Sequence, residues 1–96
     1  SGIAGWVMQN REPVLVPNAQ TDPRFYRDID DSFTFRTQSV AAAPLTGDRK
    51  TFGLIEVLNQ TGDTPFTKDD LSLLRLLCRA AGQALAFIDR MPESKA

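Results

Sequence analysis

Apolar residues recur along the chain at two periods, and the changes of period mark its elements. In "SGIAGWVMQN", Ile3, Val7 and Met8 fall at helical spacing, with Ser1 or Gly2 available as a cap and Pro13 beyond to stop the helix. "VLVP" follows as a short β-branched strand closed by Pro17. From Asn18 to Gln38 no period is sustained. Asp22-Pro23 marks a turn there, and a short helical turn is expected around Pro23 to Arg27. "SVAAAPL" and "TFGLIEVLN" are apolar runs separated by "TGDRK", whose turn chemistry predicts an antiparallel hairpin.

The longest element opens at "PFTKDD". Thr67 can cap a helix while Asp70, three positions on, reaches back to it, and Asp69 and Asp70 suit the positive end of the dipole. The pattern predicts a helix to about Met91, roughly 36 Å long at ~1.5 Å per residue, ended by Pro92 and a polar tail. Leu74, Leu77, Ala81, Ala84, Ile88 and Met91 form one apolar stripe; Leu73, Leu76, Ala80 and Phe87 form a second beside it. One stripe is expected to cover the sheet. The other is either further core or a surface that packs on a partner's helix.

Three strand candidates make a meagre sheet, and "TFGLIEVLN", the most strongly β-forming, has one neighbour available. An apolar strand with an open edge is a pairing hazard. Another chain is expected to cover it, or a further part of the domain.

Composition narrows the classes. The chain has 96 residues and a net charge of -1, which suits one small domain and gives no electrostatic reason to expect nucleic acid or an anionic membrane as partner. No apolar run approaches the ~20 residues of a bilayer span, and the amino end does not read as a signal peptide. There is no histidine, which removes most catalytic zinc and haem sites and every Ser–His or Cys–His device. Cys78 is the single cysteine, so an internal disulfide is impossible and a cytoplasmic setting is expected.

Several residues could hold a ligand. The start of the first helix offers N–H groups at Gly2, Ile3 and Ala4 to an anion. Tyr26 supplies a ring for stacking, Asp30 and Thr37 a carboxylate and a hydroxyl from one irregular segment, and Glu56 a carboxylate on the strand face of Leu54 and Leu58. Each has a plainer reading: a hydrated helix end, a ring anchoring a loop, a solvated Asp30-Asp31 turn, a glutamate exposed on an edge strand. An unpaired buried carboxylate would cost several kcal/mol, so Glu56 belongs at the water's edge or beside a donor.

"GIAGWV", "EPVLVPN", "DPRFY", "DDSFTFRTQS", "APL", "GLIEVLN" and "PFTKDD" occur in an order and spacing that resemble GAF domains, through about Ile88. The resemblance implies an α+β fold: an antiparallel sheet flanked by helices, with a long C-terminal helix and a small-molecule pocket on one face. It implies that the first helix and two strands of the usual fold are absent, so that residues 1–91 form a partial GAF domain and 92–96 a polar tail. Those strands would lie beside "TFGLIEVLN". It is closest to the cyclic-nucleotide-binding type, whose ligand-contacting positions match Ile3, Ala4, Tyr26, Asp30, Thr37 and Glu56. Phe33 departs from the threonine usual at its position. A second signature of that type matches at Asn59, Phe66 and Asp70. Gln60 and Leu71 replace its lysine and glutamate, leaving at most a Gln60–Asp70 hydrogen bond in place of an ion pair.

A bilin is not expected, since Cys78 lies in the long helix and histidine is absent; Cys78 reads as a small packed hydrophobe. One cysteine does not suffice for the thiol–disulfide cycle of methionine-sulfoxide-reducing members. "DIDDSF" lacks the glycine and glutamate of a calcium loop. The expectation is therefore a non-catalytic sensing domain of a signalling protein, without cofactor or metal. It would take a small molecule such as cAMP or cGMP, form a homodimer through its C-terminal helix or open sheet edge, and relay to a neighbouring output domain. The alternative is a dimerisation module with a vestigial pocket.

Overall fold

A computed structural model of the chain describes residues 2–25 and 36–92. Helix α1 spans Gly2–Asn10 and buries Ile3 and Val7, one turn apart on a single face. It ends where Arg11 turns left-handed (φ 57), its N–H still donating to Val7 O at 2.8 Å, with Pro13 two residues on. Strand β1 (Val14–Val16) follows, then one 3-10 turn over Ala19–Thr21. This helical turn lies before Pro23; the one expected around Pro23 to Arg27 falls partly outside the described residues, and its described part is a turn in which Phe25 N–H donates to Asp22 O at 3.1 Å. The chain is already extended at Asp22 (φ -86, ψ 123), whose carboxylate accepts the Arg24 N–H and fixes a turn there.

Strands β2 (Thr37–Gly47) and β3 (Lys50–Gln60) form the expected hairpin. Asp48 and Arg49 both take positive φ, 50° and 63°, as a two-residue type I′ loop requires. The sheet is antiparallel in the order β1-β2-β3; Val14 pairs with Ala42, and Ala42 in turn with Glu56. Pro44 lies two residues past the last β1 partner, where that side of β2 has no ladder to break. No described strand pairs with the outer edge of β3.

Helix α2 (Lys68–Arg90) has the predicted start. Asp70 N–H donates to Thr67 Oγ1 and Thr67 N–H to Asp70 Oδ2, closing the capping box, and Met91 forms the C-cap. Alternation along β2 gives the sheet two packed faces. Val40 and Ala42 join Ile3, Val7, Val14 and Val16 under α1, while Ala41 and Ala43 meet Leu74 and Cys78 under α2.

Neither sequence-predicted stripe of α2 covers the sheet. The buried residues are Leu74, Cys78, Gly82 and Ala86, with Leu71 partly buried beside them. Size is the reason. The helix lies so close to the end of β2 that a Cβ on Gly82 would collide with the Thr46 backbone, and one on Gly47 with the Gly82 carbonyl. Only small side chains fit that seam, and the bulky ones turn outward: Leu73 is 59 % exposed, Leu76 66 %, Leu77 57 % and Phe87 60 %. By length and composition α2 could also cross a membrane, but its small-residue face is committed to the sheet. At its far end, Lys50 pairs with Asp89 (2.6 Å) and Arg90 with Asp48, clasping the hairpin tip to the last helical turn.

Substituting Gly82→Ala is expected to destabilise the fold by about 2 kcal/mol through overpacking against β2. Gly5→Ala in α1, whose Cβ would meet nothing within 4 Å, should instead add about 0.5–1 kcal/mol of helix propensity. Urea unfolding midpoints check both; an unshifted Gly82→Ala midpoint contradicts the packing account.

Candidate functional site

The strand register decides which candidate residues share a face. On β3, Leu54 packs against the cluster containing Ile3, Val7, Val40 and Ala42. Glu56 is two residues on and therefore on the same face, the one that carries α1. Among the described residues its carboxylate has neither a hydrogen-bond donor nor a cation beside it. It is reachable by water from the open edge, yet the packed sheet beneath desolvates it and pushes its pKa above the ordinary 4.5. Of the two sequence readings, the one at the water's edge is what the described residues show, since Glu56 is exposed on an edge strand and no donor lies beside it.

Ile3 is 3 % exposed and its side chain belongs to the core, so at this position α1 offers a ligand its backbone. Ala4 is half-buried beside it. Thr37 is buried at the other end of the ladder, pairing with Gln60. Its register is five residues from that of Glu56, roughly 15 Å at ~3.3 Å per residue. The Thr37 carbonyl accepts from Gln20 Nε2 at 3.0 Å, and Gln20 Oε1 accepts from Arg36 at 3.0 Å, tying the 3-10 turn to the start of β2. The structure thus brings Ile3, Ala4 and Glu56 to one side of the sheet, with Thr37 at its margin. Tyr26 and Asp30 lie outside the described residues.

Two supporting clusters were not legible as such in the sequence. The Arg24 guanidinium donates to both Asp22 oxygens (Nε to Oδ1 at 3.0 Å, Nη2 to Oδ2 at 2.8 Å) and lies 5.2 Å from the centre of the Trp6 ring. Its hydrogen bond holds the Asp22 pKa below the usual carboxylate value. This stack fastens the chain leading to Phe25 onto α1. The only sequence signal was the Asp22-Pro23 turn.

In the second cluster Asn59 Oδ1 accepts from Ser39 N (2.9 Å) and Ser39 Oγ (2.7 Å), while Asn59 Nδ2 donates to Thr64 O (2.8 Å). Ser39 Oγ in turn accepts from Phe66 N at 3.0 Å. Asn59 and Phe66 of the second signature therefore act together as a clamp on the β3–α2 connection. Asp70 serves the cap of α2, and no hydrogen bond joins it to Gln60.

A three-stranded antiparallel sheet with α1 on one face and a long capped helix on the other defines an α+β domain. The comparisons agree. The family model described as GAF domain matches residues 1–85, and the chain belongs to that family. It is 30 % identical over 87 residues to dual 3′,5′-cyclic-AMP and -GMP phosphodiesterase 11A of Takifugu rubripes, covering 88 % of this chain and 10 % of that protein. It is 27 % identical over 73 residues to the alpha subunit of the rod cGMP-specific 3′,5′-cyclic phosphodiesterase of Bos taurus, covering 76 % and 8 %. Among solved structures, the GAF domain of an Acinetobacter phosphoenolpyruvate-protein phosphotransferase superposes with a TM-score of 0.71 at 26 % identity, over 93 % of this chain and 49 % of that one. The chain thus spans about half of that solved structure and a tenth or less of the two phosphodiesterases. GAF domains serve mainly as regulatory units, the methionine-sulfoxide-reducing members apart.

The desolvated carboxylate sets a pH dependence. The folded state holds the Glu56 proton more tightly than the unfolded chain, so stability falls as pH rises from 4.5 through the raised folded value. Glu56→Gln should therefore be more stable than the wild type at pH 7, and the difference should shrink toward pH 4 in urea titrations. A second expectation concerns the clamp: Asn59→Ala should cost about 1–3 kcal/mol by stranding Ser39, read from the same unfolding curves.

Proposed function

We propose that this chain is a ligand-sensing regulatory domain of a signalling protein, which takes a cyclic nucleotide or similar purine on the α1 face of its sheet. The observation that carries the reading is Glu56, an exposed carboxylate with no partner among the described residues, on the sheet face that carries α1 and at hand for a donor such as a purine N–H. The start of α1 supplies N–H groups suited to a phosphate, and Thr37, Tyr26 and Asp30 would complete the contacts. The similarity to phosphodiesterases named for cAMP and cGMP supports the ligand class. Binding would be relayed through α2, to the extent that affinity differs between two arrangements of the helix.

A second reading is favoured by a separate observation. Leu73, Leu77, Ala80, Ala84, Phe87 and Met91 are all exposed and follow a four–three repeat, with Leu76 and Ile88 flanking. That is the spacing of a two-helix seam, and a second copy of this chain would cover it. In this reading dimerisation is the function and the sheet face is vestigial. The two readings are compatible as sensor and relay.

Calorimetric titration of cAMP and cGMP into the intact parent protein separates them. The sensing reading expects saturable heat with at least one nucleotide, and a loss of affinity of about tenfold or more in Glu56→Ala, as for a hydrogen bond to a charged group. No heat from a protein that is dimeric by light scattering leaves the dimer reading alone. Leu73→Glu with Leu77→Glu is expected to yield monomers.

A further inference from the structure

A different part of the molecule gathers arginines that form no ion pair among the described residues, although Glu12 adjoins one of them in sequence. Past the pairing of Val14 with Ala42, β2 runs on without a β1 partner, and α2 passes over this stretch. The notch is a cleft of about 230 Å³ lined by Arg11, Pro13, Pro44, Thr46, Arg75 and Arg79. Arg24, Lys50 and Arg90 have carboxylate partners; the three cleft arginines have none among the described residues.

The local sequence offers the helical pair no relief. Arg75 and Arg79 are four apart on one helix face and repel each other. Three and four positions away on either side stand Leu71, Ser72, Cys78, Leu76, Gly82 and Gln83, none of them acidic. Arg11 joins them from the end of α1 in a left-handed conformation (φ 57), a position where glycine or asparagine is usual. Two separate elements therefore bring three guanidinium groups to one hollow in a chain whose net charge is -1.

We propose that this cleft binds a phosphate-sized dianion, either inorganic phosphate or the phosphoryl group of a small phosphate monoester. Guanidinium forks match tetrahedral oxyanions bidentately, and the Thr46 hydroxyl adds a donor from the strand. Pro13 and Pro44 contribute rigid walls without N–H groups. The volume is below the ~300–1,000 Å³ typical of sites that enclose a drug-sized ligand, which favours a single phosphoryl group over a whole nucleotide. Bound there, the anion would bridge the α1–β1 connection to the first half of α2. The site lies at the β1 edge of the sheet, whereas Glu56 is on β3 at the other, so it stands or falls apart from the nucleotide reading.

The test is calorimetry of the intact parent protein at low ionic strength, titrated separately with inorganic phosphate, phenyl phosphate and acetate. Saturable binding of phosphate is expected, weakened about tenfold or more in Arg11→Gln and in the Arg75→Gln/Arg79→Gln double variant. Phenyl phosphate binding with similar affinity assigns the site to monoesters; binding of inorganic phosphate alone assigns it to the free anion. Either supports the proposal. The double variant should unfold at a urea midpoint no lower than the wild type in phosphate-free buffer, and Glu56→Ala should leave phosphate affinity unchanged. Absence of saturable heat, equal binding of acetate, or undiminished binding in the arginine variants overturns it.

Discussion

The fold depends on a contact between two stretches of main chain with almost nothing between them. Gly82 of α2 rests on Thr46 and Gly47 of β2, and no side chain could be interposed. That approach fixes the height of the helix over the sheet, so the remaining interface must be made of Leu74, Cys78, Ala86 and the alanines of β2. Once small residues are committed inward beside Leu74, Leu73, Leu76, Leu77 and Phe87 are left to face out. The exposed apolar face of α2 and the tight seam beneath it are two results of one constraint.

The opposite face is organised differently. There α1 packs by Ile3 and Val7, β-branched residues of β1 and β2 fill the gap, and the sheet continues beyond the helix to Glu56. Polar networks guard the margins: Asp22, Arg24 and Trp6 at one, Ser39, Asn59 and the Phe66 N–H at another. Both bind irregular chain to regular elements, which lets a candidate recognition surface be assembled from a short strand, a short helix and a turn. Partly buried hydrogen-bonded groups of this kind fix the geometry of the chain they join.

Much of this was legible because it is local. Turn residues and flanking β-formers located the hairpin, and Thr67 with Asp70 located the start of α2 to the residue. The inward face of α2 was misread because ranking by hydrophobicity favours leucine over glycine and alanine, whereas close approach reverses the order. The 3-10 turn at Ala19–Thr21 and the bidentate Arg24–Asp22 pair at Pro23 were both invisible to period counting. Of the candidate site, the strand face of Glu56 followed from alternation alone. The burial of Ile3 and Thr37, and the role of Asn59 as a clamp, needed contacts between residues far apart in sequence.

The clasp at the hairpin tip has a mechanical meaning. Asp48 and Lys50 hold Arg90 and Asp89, so the last turn of α2, the segment nearest to whatever follows, is stitched to the sheet by charges that face water. Such stitches loosen as counterions crowd in, while the glycine seam one turn and more below does not respond to salt. The helix is thus held by a dry seam and a wet latch, and only the latch answers to the ionic medium.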